Sequence, residues 1–137
     1  MSLAEKQQQL IDDLSMLDDP QERLGAVVDR AKRAPPLSAA ERADSNRVRG
    51  CVSVVWVTSG LRDGRCYFRG DAESPVVRGL LVLLCDFFSG ATPAEIRASP
   101  VDPLEALGLM RHLSPTRRNG LGSALAVIRA FAENPPA

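Results

Sequence analysis

Five of the ten prolines in this chain stand directly after a residue type that caps helix N-termini: Asp19-Pro20, Ser74-Pro75, Thr92-Pro93, Asp102-Pro103 and Ser114-Pro115. Proline at the first helical position sacrifices nothing. The N–H it lacks would have no partner inside the helix, and its fixed φ already suits helical geometry. Three of these starts carry an acid at the third helical position (Glu22, Glu95 and Glu105), placed to reach back to the cap N–H. Ser38-Ala39-Ala40-Glu41 has the same form without the proline. Six helix starts in 137 residues predict a mostly helical chain. That length suits a single domain, residues 1–137, with residues 1–4 and 134–137 expected to fray.

The apolar spacing fills in the helices. Leu10, Ile11, Leu14 and Leu17 make one stripe, and Leu24, Val27, Val28 and Ala31 a second that stops before Pro35-Pro36. Residues 75–88 form the most apolar stretch, with Val76, Val77, Leu80, Leu81, Leu84, Phe87 and Phe88 covering a wide arc, so this helix should lie centrally. The last helix, about 115–133, presents Leu121, Leu125, Ile128 and Ala132. Residues 47–69 break the pattern. Val52–Thr58 is β-branched and aromatic, Ser59-Gly60 and Asp63-Gly64 mark a turn, and Arg65–Arg69 returns as an antiparallel partner. Arg47-Val48-Arg49 adds a third short strand, bent from the next at Gly50-Cys51. The fold class expected is α+β: a short antiparallel sheet of about three strands covered by helices.

Composition then removes function classes. Lys plus Arg and Asp plus Glu are 17 each, so the formal net charge is zero and nucleic acid is not the default partner. The N-terminus has no basic region followed by an apolar core, and the longest apolar run, Leu80–Cys85, is far short of a membrane span. A cytoplasmic protein with free thiols and no membrane contact is the expectation. Three cysteines at spacings of 15 and 19 contain no CxxC pair and make neither a disulfide framework nor, with one histidine, a dedicated zinc site. Acid pairs flank helix ends, and Gly120-Leu121-Gly122 lies inside a helix rather than in a phosphate loop. Hydrolytic, phosphoryl-transfer and metal chemistry therefore lack a residue set.

The thiols differ in setting. Cys85 lies inside the apolar run and reads as a small hydrophobe, and Cys66 alternates with its neighbours in a strand. Cys51 follows Gly50 at a bend, with Arg47 and Arg49 upstream to favour thiolate over thiol. His112, before Ser114-Pro115, suits capping or packing as well as catalysis. On the residues alone, a reactive and an incidental Cys51 remain equally open.

The order of several blocks resembles the SufE-type sulfur-acceptor family. They are Asp19-Pro20-Gln21-Glu22-Arg23, Pro35-Pro36-Leu37, Asn46-Arg47-Val48-Arg49-Gly50-Cys51-Val52-Ser53-Val54-Val55-Trp56, Val76-Val77-Arg78-Gly79-Leu80 and Thr92-Pro93-Ala94-Glu95-Ile96. Leu107-Gly108-Leu109, His112-Leu113-Ser114-Pro115 and Arg117-Arg118-Asn119-Gly120-Leu121 complete the set, from about Leu17 to Ala132. The resemblance implies a SufE/IscU-like fold and a carrier that is not itself an enzyme. Cys51 would take persulfide sulfur from a SufS-like cysteine desulfurase, stimulate it, and pass the sulfur to a SufBCD-like iron–sulfur scaffold. The pyridoxal phosphate belongs to the desulfurase, and no cofactor of its own is implied. Cys51 is implied to rest partly buried, in a loop folded against the body. Asn46, Arg47, Gly50, Ser53, Glu73, Arg117 and Asn119 are implied to support the loop or contact the partner. Asp71 and Glu73 would lie near it, opposing or pairing with Arg47 and Arg49. Two positions depart from the family pattern: Val52, where many relatives are polar, and Pro75, in a stretch that faces the loop. The alternative function is an IscU-like scaffold binding a cluster or zinc through converging cysteines.

Overall fold

The computed structural model describes residues 2–49, 54–111 and 113–136. All five proline-led starts open helices: α2 (Pro20–Ala31), α3 (Pro75–Phe88), α4 (Pro93–Ala98), α5 (Pro103–Ala106) and α6 (Pro115–Glu133). In each, the residue before proline accepts an N–H of the first turn through its side chain. The capping box closes at Thr92–Glu95, whereas Asp19 and Asp102 hold their first-turn N–H groups without reciprocal bonds from Glu22 and Glu105. A further helix, α1 (Leu3–Leu14), opens on a Ser2–Glu5 capping box. Ser2 and Leu3, inside the stretch expected to fray, thus cap and start a helix, and Leu3 is buried.

Ser38 is the start that makes no helix. Its box with Glu41 forms in both directions, yet the chain takes a single turn there and then a 3₁₀ turn at Asp44–Asn46. The segment Ala39–Ser45 has no large apolar residue, so nothing tertiary repays extending a costly helical nucleus.

The sheet is a two-stranded antiparallel hairpin, β1 (Val55–Arg62) with β2 (Arg65–Ala72). The expected third strand reduces to one bridge between Arg47 and Trp56, with Val48 N–H donating to the Val55 carbonyl at 2.8 Å. Ser59-Gly60, expected to turn, stays in the ladder opposite Phe68 and Tyr67. Only Asp63-Gly64 turns, both at positive φ (53° and 77°), the geometry whose twist matches a two-residue hairpin. Ser89–Ala91 covers the outer edge of β2: Cys66 N–H donates to Ala91 and Gly90 N–H to Cys66.

The pleat sets the layers. Val55, Val57, Cys66, Phe68, Gly70 and Ala72 are buried on one face, against α3. Contact is close because Gly70 has no side chain: a Cβ there would lie 2.6 Å from Leu81 Cγ and 3.1 Å from Cys85 Sγ. On the other side of α3, Gly79 meets α2 in the same way, 2.9 Å from Val28 Cα. As the apolar arc predicts, α3 is central, with Val77, Leu80, Leu81, Leu84 and Phe88 fully buried. Phe68 and Phe131 meet edge to face at 5.6 Å, joining the inner face of the sheet to α6.

Candidate functional site

Gly50, Cys51, Val52 and Ser53 lie outside the described residues, as does His112. The site is therefore built from the two stems that carry the Cys51 segment. The incoming stem is the 3₁₀ turn followed by Arg47-Val48-Arg49, and the outgoing stem is Val54 leading into β1. The Arg47–Trp56 bridge and the Val48–Val55 hydrogen bond clamp the two together. Val48 and Val55 are buried, so the clamp is also an apolar contact between the two stems and the core. Asn46 donates its Nδ2–H to the Glu41 carbonyl at 2.9 Å, which fixes the turn feeding the stem. Arg49 reaches back to the Asp44 carbonyl at 3.5 Å.

The end of β2 lies beside these stems. Glu73 donates its backbone N–H to the Val54 carbonyl at 3.2 Å, one residue beyond the Cys51 segment, and its side chain is exposed. Asp71 takes a different part from the one expected of it. It pairs not with Arg47 or Arg49 but with Arg42 at 2.7 Å and Arg78 at 3.0 Å. It also accepts the N–H groups of Leu37 and Ala72, at 3.2 and 2.8 Å. Burial works against its charge, but hydrogen bonds from Arg42 and the two N–H groups outweigh it and hold the carboxyl below the usual range. Arg78 also donates to the Ala31 and Ala34 carbonyls, so one guanidinium joins the end of α2, the start of α3 and the end of β2. Arg42 in turn lies over the Trp56 ring at 5.7 Å.

This hub is not legible along the chain. A single aspartate at a strand end carries no periodic signal, and its two arginines are 29 and 7 residues away. With 17 basic residues to choose from, nothing local marks which of them it meets.

Of the remaining candidates, Arg117 and Asn119 are exposed on the first turns of α6. Among the described residues, neither side chain makes a hydrogen bond or ion pair that would join it to the stems. Cys66 and Cys85 are both buried free thiols, and burial pushes both up in pKa. Arg97 partly offsets the rise at Cys66, whereas Asp86 adds to the large rise at Cys85. Both thiols are thereby held protonated and away from solvent, a setting in which cysteine is unreactive. Among the described residues, no three His, Cys, Asp or Glu side chains converge as metal ligands.

A hairpin backed by a central helix, with a 3₁₀ turn and Arg47-Val48 bridged to the start of its first strand, defines an α+β protein of the SufE type. The chain belongs to the SufE family: the profile of this Fe–S metabolism associated domain matches residues 8–132. It is 35% identical to an uncharacterised SufE-like protein of Rhizobium meliloti over 130 residues, covering 91% of this chain and 93% of the relative. An uncharacterised SufE-like protein of Synechocystis is 34% identical over 114 residues, covering 83% of this chain and 72% of the relative. A solution structure of a hypothetical protein from Thermus thermophilus shares the fold, with a TM-score of 0.73 at 22% identity over 93% of each chain. No helix among the described residues is long and apolar enough to cross a membrane.

Proposed function

We propose that this chain is a sulfur carrier and that Cys51 is its acceptor. One observation carries the reading: within a SufE-family chain of three cysteines, Cys66 and Cys85 are sealed in the core, which leaves Cys51 as the available nucleophile. The Cys51 thiolate attacks the terminal sulfur of a persulfide on the cysteine of a SufS-like desulfurase. The S–S bond of that persulfide breaks and the desulfurase cysteine leaves as a thiolate. Cys51 now bears the persulfide. The step is a thiol exchange, so it needs neither an external oxidant nor a metal. Pyridoxal phosphate stays with the desulfurase, whose turnover rises because its persulfide is cleared. A second exchange of the same kind delivers the sulfur to a SufBCD-like scaffold. A reducing cytoplasm is the compartment in which such a thiol persists.

Within this reading Cys51 enters the desulfurase while the two stems keep their place in the fold. Asn46, Arg47 and Glu73 support the stems, and the cationic Arg47 and Arg49 favour thiolate at Cys51. Gly50, Ser53, Arg117 and Asn119 are assigned to loop support or partner contact. The chain acts as one unit over residues 1–137. The alternative scaffold reading needs three converging cysteines, and the burial of Cys66 and Cys85 speaks against it.

The test is incubation with a SufS-like cysteine desulfurase and radiolabelled cysteine. Sulfur should appear on the wild-type chain as a mass gain of one sulfur atom, removable by a thiol reductant. Equal labelling of Cys51→Ser refutes the assignment.

A further inference from the structure

The outer face of the hairpin is a charged strip that the fold uses only in part: Arg42 is tied to Asp71, Arg69 to Glu41, and Arg65 donates to the Gly90 carbonyl at 2.7 Å. The register places Trp56 opposite Asp71, Thr58 opposite Arg69, Gly60 opposite Tyr67 and Arg62 opposite Arg65, all on the face turned away from α3. The bridge to Trp56 puts Arg47 on the same face, and Arg42 covers the Trp56 ring. Five guanidiniums (Arg42, Arg47, Arg62, Arg65 and Arg69) thus share one face with two carboxylates, Asp71 and Glu41, already engaged by Arg42 and Arg69. The chain as a whole is neutral, so this is a local concentration of positive charge. Among the described residues neither Arg47 nor Arg62 has an ion-pair partner. Arg62 and Arg65 also stand directly opposite each other, a like-charge pairing that weakens a ladder. Arg65 is held there by the Gly90 carbonyl and Arg62 by the Tyr67 ring, so among the described residues Arg62 has a ring beneath it but no carboxylate beside it.

We propose that this strip is a docking surface for an acidic protein face, and that the partner is the desulfurase serving Cys51. The proposal rests on the carrier reading above and extends it to a second, remote contact. Arg62 lies seven residues along β1 from Val55, about 23 Å from the Cys51 stem at strand rise. The choice of protein carboxylates over nucleic acid follows from the aromatics. Arg62 sits over the Tyr67 ring at 4.3 Å and Arg42 over Trp56 at 5.7 Å, so one face of each ring on which a base would stack is already taken by a guanidinium. Arg42 gives an N–H to Asp71, whereas Arg62, stacked on its ring, keeps its in-plane N–H donors for a carboxylate in a forked pair. Gly60, with nothing within 4 Å of where its Cβ would stand, leaves the middle of the strip open to approach.

The experiment measures binding of the full chain to a SufS-type desulfurase from low salt to about 0.3 M, where charges beyond a Debye length are screened. Wild-type binding should weaken with salt. Arg62→Glu, alone and with Arg65→Glu, should weaken it about tenfold at low salt and flatten the salt dependence. Arg33→Glu, an exposed reversal on the helical side, should change it less than about twofold. Alkylation of Cys51 in the absence of desulfurase should be equal in all variants, and circular dichroism verifies their fold. Wild-type affinity in both Arg62 variants overturns the proposal, as does tighter binding of a single-stranded oligoribonucleotide than of a polyglutamate peptide. If wild type does not bind the desulfurase, the carrier reading fails separately. The strip is then judged by the polyglutamate peptide alone: amide shifts confined to residues 56–69 sustain it as an acidic-protein surface, and none there refutes it.

Discussion

Asp71→Asn is the substitution whose consequence the geometry fixes most closely. Each carboxylate oxygen receives two donors: Oδ1 from Ala72 N–H and Arg78 Nε–H, Oδ2 from Leu37 N–H and Arg42. Asparagine has one oxygen and one NH₂, so whichever way it turns, two donors face another donor. Losing a buried partner of ion pairs costs about 3–5 kcal/mol when the charges left behind stay buried. Here the upper end is not reached. Arg42 is 43% exposed and regains water, which limits its share to about 1 kcal/mol. Arg78, at 18% exposed, keeps the Ala31 and Ala34 carbonyls. Its lost charge partner and one orphaned buried N–H add about 2 kcal/mol. The expected loss is therefore about 3 kcal/mol, a large part of the 5–15 kcal/mol typical of a domain. Urea unfolding followed in parallel by Trp56 fluorescence and helical circular dichroism should show a lower midpoint at unchanged slope, and Tm should fall by about 10 °C.

The pH dependence supplies a second reading of the same group. The folded carboxyl lies below its ordinary 3.8, so its stabilisation is complete above that value and is lost as pH falls through the depressed folded value. The gap between wild type and Asp71→Asn should accordingly be constant near neutrality and close in acid. A midpoint within about 0.5 kcal/mol of wild type at neutral pH, or a gap that persists in acid, refutes the account of Asp71 as a charged hub.

Three further outcomes follow from the packing. Gly79→Ala should destabilise by about 1–3 kcal/mol in the same urea assay, because its Cβ would lie 2.9 Å from Val28 Cα, a backbone atom that cannot step aside; propensity alone predicts the opposite sign. Lys6→Met should cost about 1 kcal/mol, since Lys6 Nζ donates to the Phe87 and Ser89 carbonyls and so ties α1 to the end of α3. Titration with a thiol-specific disulfide reagent should report one fast thiol in the native chain and three after guanidinium unfolding. Fast reaction of Cys66 or Cys85 in the native state would contradict their burial.

The helices were legible from local chemistry. Each Asp-, Ser- or Thr-Pro step satisfies an N-terminal donor and presets φ within a few residues, so all five starts appear where the sequence places them. The hairpin was legible for the same reason, through Asp63-Gly64, and so was the burial of Cys85 inside its apolar run, whereas the full burial of Cys66 depends on the helix packed against its strand. Local chemistry misled where a distant partner intervened. Ser59-Gly60 remains in the ladder because Phe68 and Tyr67 stand opposite, and Ser38–Glu41 closes its box without a helix because no apolar face follows.

The Cys51 acceptor assignment came from the order of sequence blocks and still stands on it, with the two sealed cysteines as support. What only the tertiary structure decided is how the stems flanking that segment are joined and what lies beside them. Asp71 finds Arg42 across 29 residues, and the strip of arginines forms only when the pleat puts alternate residues of two strands on one face. Capping and turn geometry act within one turn of chain, whereas charge pairing and face composition depend on which elements meet; the first can be read along a sequence, the second only across a fold.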